Sequence, residues 1–239
     1  MTVQVTRAHA QESSKRFWHW FNTTGGHPEH HPEEEVVRFL LGRRARLGDG
    51  VVTTRVLDLG SGSGKHTVFV ADLGFDVAGV DWSVPGLEYT RERLEKQNLS
   101  ARLEVADFRD HRLPFESNTF DYVIGMQVFD HLFDSDARAL LKEVKRVMKS
   151  GGEMLVSLMT TGTTKRNRIG QRVEGEEETF LCDKGNSAGE IHRLFHPDEA
   201  EEFVSSQFSI RDSVVITFKY DRRDEAAEAK YFIVEKDPD

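Results

Sequence analysis

Val56–Thr67, VLDLGSGSGKHT, decides how this chain is read. Val56, Leu57 and Leu59 form a short apolar run of the kind that makes a buried parallel strand, and glycines at 60, 62 and 64 break it at once. The pattern resumes at His66-Thr67-Val68-Phe69-Val70-Ala71, which predicts a helix. A strand that passes through a glycine turn into a helix N-terminus brings bare backbone close to a ligand. A phosphate-cradling loop needs Gly, four residues and then Gly-Lys-Ser/Thr. Leu59 stands where its first glycine belongs, and His66 where its hydroxyl belongs. A dinucleotide loop needs G-x-G-x-x-G, and Lys65 or Thr67 occupies the third glycine position. What remains is Asp58-x-Gly60-x-Gly62-x-Gly64, a glycine loop fed by a strand that carries an acid.

Further segments follow in order. Phe75–Asp81, FDVAGVD, reads as a second strand ending in an acid, some twenty residues past the loop. A carboxylate at that strand end is placed to accept hydrogen bonds from both hydroxyls of a ribose, and Trp82 beside it is placed to lie against the adenine or ribose face. Ala101–Asp107, ARLEVAD, reads as a third strand closing on Asp107-Phe108. Phe120–Gln127, FDYVIGMQ, reads as a fourth, after the approach LPFESNTFD. Leu140–Leu158 reads as a helix, a Gly-Gly turn and a fifth strand.

From Val56 to Leu158 these motifs resemble the class I S-adenosylmethionine (SAM) dependent methyltransferases, and more closely their stand-alone enzymes acting on metabolites, including those grouped with tellurite-resistance methyltransferases. The resemblance implies an α/β fold: a Rossmann-like, doubly wound, seven-stranded, mostly parallel sheet with a C-terminal antiparallel strand. It implies SAM as cofactor, with S-adenosylhomocysteine as product. It further implies that Asp107 hydrogen-bonds the adenine amino group while Phe108 packs on the ring. Asp58, Gly60, Ser61, Gly62, Gly64, Thr67, Asp81, Trp82 and Met126 complete the expected cofactor contacts. The switch-point rule for open α/β sheets places such residues together at the carboxyl ends of the strands. The chain departs from the usual pattern with Ser61 and Ser63 around Gly62, Lys65 for a commoner Arg, and Glu190-Ile191-His192-Arg193 for a Gly-Ile-Pro-His-His-like run.

Composition narrows the setting. At 239 residues, with 38% hydrophobic and 31% charged side chains, the chain can bury a substantial core and reads as soluble and globular. No apolar run approaches a bilayer span, and the N-terminus lacks the apolar centre of a signal peptide, so a cytoplasmic location is expected. The single Cys182 excludes an internal disulfide and a thiolate-rich metal site. A formal net charge of -9 argues against nucleic acid as substrate, as does the lack of an Asn-Pro-Pro-Tyr-like element after the fourth strand. The one basic cluster, Lys165-Arg166-Asn167-Arg168 with Arg172, is followed directly by acids and reads as a solvated loop or a neutraliser of one anionic small substrate.

Two segments flank the core. Residues 1–50 read as an N-terminal helical cap, with helices over about Thr6–Phe21 and Pro32–Leu47 and a Gly25-Gly26-His27-Pro28 linker between them. Residues 51–239 read as the SAM-binding domain, in which 160–195 is a long polar loop expected to act as a substrate lid. Pro197–Ser206 predicts a helix, and Ser209–Tyr220 with Ala229–Lys236 predicts a closing hairpin. The aromatic run Phe17-Trp18-His19-Trp20-Phe21 suits either core packing or a cover for the site.

Methyl transfer by in-line displacement needs mainly proximity and orientation, with a base for protonated acceptors. His131 follows the fourth strand, and His192 lies in a Gly-x-x-His-x-x-Phe segment that resembles one in many small-molecule methyltransferases; these are the candidate catalytic residues. His27, His30 and His31 read as solvated or capping residues, and no metal is expected. The expected reaction is methylation of an oxygen or nitrogen of a small metabolite, with no membrane partner. The alternative is a SAM- or S-adenosylhomocysteine-binding module of the same fold without catalysis.

Overall fold

The computed structural model describes residues 4–25, 31–164, 170–220 and 225–238. Among these described residues, eleven strands and six α-helices run in the order β1 (Gln4–Val5), α1 (Arg7–Trp20), α2 (Glu34–Leu47), β2 (Arg55–Leu59), α3 (Lys65–Asp72), β3 (Asp76–Asp81), α4 (Val84–Lys96), β4 (Arg102–Val105), β5 (Phe120–Gly125), α5 (Asp134–Val147), β6 (Met148–Met159), β7 (Gln171–Val173), β8 (Thr179–Leu181), β9 (Ile191–Arg193), α6 (Pro197–Ser205), β10 (Ser209–Tyr220) and β11 (Glu225–Glu235).

Seven of the strands make one sheet in the order β10-β11-β6-β5-β2-β3-β4. β2 pairs in parallel with both β3 and β5, placing Asp58 beside Gly79 on one side and Ile124 on the other. β11 runs antiparallel to β6 and to β10, and is the reversed strand the resemblance implied. Alternation along the strands divides the core. Leu57, Leu59 and Val80 face α5 and α6 through Leu140, Val144 and Phe203, while Val56 and Val77 face α2, α3 and α4 through Phe39, Val70 and Leu94. Burial on both faces is why these strands read as near-continuous apolar runs.

The chain winds outward from β2 through β3 to β4, then returns to β5 on the other side of β2. That reversal opens a crevice at the carboxyl ends of β2 and β5. Gly60 and Gly64 both take positive φ, +71° and +79°. A Cβ at Gly60 would lie 2.7 Å from Val128 Cγ2, and one at Gly64 2.5 Å from Thr90 Cγ2, so both conformation and space demand glycine.

The segment expected to be an irregular lid is partly regular. β7, β8 and β9 form a small sheet, joined at its edge by β1 from the N-terminus in parallel pairing with β7. Ala10 of α1 is buried with Val173, Leu181 and Ile191 of that sheet and with Phe133. The N-terminal helix and the 160–195 segment, read separately from sequence, therefore pack as one layer over the crevice. β7, β8 and β9 carry three residues each and β1 two, too few to show a period of two. The third strand ends at Val105, so Asp107 lies beyond it and caps the short turn Phe108–Asp110, its side chain accepting from the Arg109 amide at 3.1 Å.

Candidate active site

A cavity of about 260 Å³ opens at the crevice. Its floor is the glycine loop, Gly60, Ser61 and Gly62, together with Asp81 and Trp82 at the end of β3. Asp107, Phe108 and Met126 continue the wall, and His131 lies on the same wall beyond them. Each of these positions is among the site residues expected from the sequence, and they line one cavity.

Asp81 organises the floor. Its carboxylate accepts the Gly62 amide at 2.9 Å and the Ser83 amide at 2.8 Å. Burial pushes its pKa up to about 6, against the opposing effect of those two amides. Each oxygen keeps acceptor capacity for hydroxyl donors. Ser61 Oγ is buried beside it with no protein hydrogen-bond partner. A buried hydroxyl left unsatisfied by the protein is costly, so this atom marks a place where a polar ligand fits. Asp107 is engaged by Arg109, whose Nε donates to Oδ1 at 2.6 Å and whose Nη2 donates to Oδ2. Burial works to raise Asp107, but the Arg109 bonds and charge prevail and hold it below the usual carboxylate range. An adenine amino group would share this carboxylate with the guanidinium.

Four expected site residues do not line the cavity. Asp58, Gly64 and Thr67 sit behind the loop, where Thr67 Oγ1 donates to Asp58 Oδ2 at 2.6 Å. They shape the loop from beneath, because the Asp58 side chain points to the α3 face of the sheet. His192, on β9, is fully buried with Nε2 2.7 Å from Glu190 Oε2, and it does not line the cavity where a contact with substrate was expected of it. His27 and His30, and Lys165, Arg166 and Arg168 of the basic cluster, lie outside the described residues. Arg172 is paired with Glu178 at 2.5 Å.

The remaining wall was legible only in part, since the sequence offered the aromatic run as either core or cover. Ser14, Lys15, Trp18, Phe21 and Asn22 reach the cavity from α1 and its wider continuation Phe21–Gly25, a π-type turn. The aromatic run divides: Phe17 is buried as core, whereas Trp18 lines the cavity and meets the His131 ring edge-on at 5.1 Å. Leu132, Phe133 and Ile191 complete an apolar end around His131. His131 Nδ1 lies 2.8 Å from the Ile191 carbonyl, which accepts, so Nδ1 carries the proton of the neutral ring and Nε2 is the acceptor. Burial pushes His131 below its ordinary value; Glu190 opposes this and His192 reinforces it.

Beneath the loop lies a charged link that sequence reading also missed. Glu33, at the N-cap of α2, accepts from Lys65 Nζ at 2.7 Å and pairs with His66 Nε2; His66 Nδ1 lies 3.7 Å from Asp58 Oδ1. Burial works to raise Glu33, but the hydrogen bond and charge of His66, with Lys65, hold it at about 2. His66 is pushed upward by its two carboxylates against the effect of burial.

This sheet order, with the glycine loop and strand-end acids at its switch point, defines a class I SAM-dependent methyltransferase fold. Residues 56–152 match the family model described as a methyltransferase domain, and the chain carries that domain. The sarcosine/dimethylglycine N-methyltransferase of Aphanothece halophytica is 33% identical over 103 residues, 43% of this chain and 36% of that protein. The glycine/sarcosine/dimethylglycine N-methyltransferase of Actinopolyspora halophila is 28% identical over 176 residues, 73% of this chain and 31% of that protein. The matches thus span about a third of these curated relatives. Among solved structures, a SAM-dependent methyltransferase from Methanosarcina mazei superimposes with a TM-score of 0.66 at 22% identity, over 77% of this chain and 93% of its own. The [4+2]-cyclase SpnF superimposes with a TM-score of 0.68 at 16% identity, over 99% of this chain and all of its own. No helix among the described residues is long and apolar enough to cross a membrane.

Proposed function

We propose that this protein transfers a methyl group from SAM to a nitrogen or oxygen of a small metabolite, as a cytoplasmic enzyme that does not act on nucleic acid. One observation carries the reading: a single cavity joins a buried, amide-bound carboxylate at the glycine loop to a neutral imidazole in an aromatic corner. When bound, SAM supplies an electrophilic methyl on a sulfonium that is already a good leaving group.

Asp81 would hold the ribose hydroxyls, the Gly60–Gly62 backbone and Ser61 Oγ the polar remainder, and Phe108 with Met126 the adenine face. Trp18, Phe21, Leu132 and Phe133 exclude water from the far end. Trp18 also offers a π face, which suits an acceptor that becomes cationic. An amine that takes a methyl group becomes an ammonium and then sheds a proton, and His131 Nε2 accepts that proton. His192 acts through Glu190 rather than on the substrate. The relatives named above are N-methyltransferases, which makes nitrogen the first acceptor to test.

Calorimetric binding of SAM and S-adenosylhomocysteine, followed by transfer of labelled methyl into amine and metabolite pools, tests the proposal. A labelled small-molecule product supports it. Tight binding with no labelled product across broad pools would mean a cofactor-binding module without transfer.

A further inference from the structure

Behind the acceptor end of the cavity, His131, Glu190 and His192 converge. Each offers one ligand atom, and the three atoms lie within 4.8 Å of one another. Glu190 Oε1 is 3.5 Å from His131 Nδ1, and Glu190 Oε2 is 2.7 Å from His192 Nε2. The two imidazole rings meet edge-on, their centroids 5.1 Å apart. His131 stands on the turn after β5 of the main sheet, whereas Glu190 and His192 flank Ile191 at β9 of the small sheet. Glu190 and His192 are almost wholly out of solvent, at 6% and 0% exposure.

Two imidazoles and one carboxylate are the donor set of three-ligand zinc and other first-row divalent sites, which leave a fourth position for water. All-oxygen calcium or magnesium coordination does not suit it. Bonds of about 2.0–2.1 Å around a tetrahedral ion put neighbouring ligand atoms roughly 3.3 Å apart, and the separations of 3.5 Å and 2.7 Å fall on either side of that value. The Ile191 carbonyl, 2.8 Å from His131 Nδ1, stands beside the same point.

We propose that His131 Nδ1, Glu190 and His192 Nε2 bind one divalent transition-metal ion of the zinc class, which staples the small sheet to the main sheet behind the acceptor wall. Binding at His131 Nδ1 moves the one proton of that neutral ring to Nε2, so the loaded ring donates where the metal-free ring accepts. The site requires neither SAM nor a methyl acceptor, so metal binding is tested apart from methyl transfer, and the proton-accepting role proposed for His131 Nε2 belongs to the metal-free form.

The test uses the full chain, stripped with chelator, dialysed and titrated with Co(II) or Zn(II) alone. One equivalent of Co(II) per chain is expected, with the visible absorption of a low-symmetry nitrogen–oxygen site, and Zn(II) should bleach it. At a hundredfold excess over Kd the melting temperature should rise by about 5–10 °C. Glu190→Gln and His192→Ala, each confirmed as folded by circular dichroism, should lose both signals. If either variant does not fold, His131→Gln serves in its place. Wild-type protein showing neither the band nor the melting shift overturns the proposal. So does a stoichiometric band that survives in these variants, which would move the metal elsewhere, for instance to the histidines at 27, 30 and 31.

Discussion

The Gly62 amide donates to the Asp81 carboxylate across 2.9 Å, tying the glycine loop to the end of the neighbouring strand. The loop is therefore shaped by the same acid that the proposed reading assigns to the ribose. Asp81→Ala should weaken S-adenosylhomocysteine binding by about 1–3 kcal/mol, roughly 10- to 100-fold, through loss of charge-assisted hydrogen bonds. Calorimetry measures this directly, and unchanged affinity would remove Asp81 from the site.

The raised pKa of Asp81 fixes the direction of a pH effect. Because the folded value, about 6, lies above the ordinary 3.8, ionisation disfavours the empty fold: the stability this group contributes is complete below 3.8 and is lost as pH rises to about 6. Cofactor hydroxyls need the ionised form. Affinity for S-adenosylhomocysteine should therefore fall as pH drops through 6, by up to about tenfold per unit. Asp81→Asn should flatten that dependence.

Gly60→Ala places a methyl 2.7 Å from Val128 Cγ2 at a residue with φ of +71°. We expect a loss of about 1–3 kcal/mol of stability and a marked fall in cofactor affinity. Adding Val128→Ala should recover the part due to the clash and leave the backbone part. Denaturant titration of the single and double variants separates the two.

Glu33→Gln cuts the link between α2 and α3 at a carboxylate with 21% side-chain exposure. The expected cost is about 1–3 kcal/mol, below that of a fully buried pair because water screens it in part. The depressed Glu33 contributes stability above its ordinary 4.5 that disappears as pH falls towards 2. The raised His66 contributes stability below its ordinary 6.5 that disappears as pH rises through its higher folded value. The melting difference between wild type and variant should thus be largest between pH 4.5 and 6.5 and shrink on both sides.

His131→Asn and Trp18→Ala touch the acceptor end of the cavity. Cofactor affinity should stay within about threefold of wild type, whereas transfer of labelled methyl should fall by about 10²–10⁴ for His131→Asn. A parallel loss of cofactor binding would place His131 in the cofactor site instead.

Local sequence made the centre of the protein legible. The strand–glycine–helix stretch, the acids at 81 and 107 and the doubly wound order are each written in short, contiguous patterns, because buried parallel strands and glycine-only backbone leave little freedom of residue type. The 160–195 segment was not legible in this way. Its strands are three residues long, and their partner β1 lies at the far end of the chain. Likewise nothing in HPEEEVV signals that Glu33 meets His66, since a glutamate before a helix is ordinary helix-start chemistry.

By itself, the sequence determined the sheet, the glycine loop and the residues at the strand ends, down to Asp81, Trp82, Asp107 and Met126. Only the tertiary structure decided that Asp58, Gly64 and Thr67 work from behind the loop, that Trp18 rather than Phe17 faces the cavity, and that His192 is held back by Glu190. Chain pattern sets backbone path through local sterics and periodic burial. Which face of a helix meets a cavity, and which distant histidine meets a glutamate, follows from packing between segments that carry no record of one another.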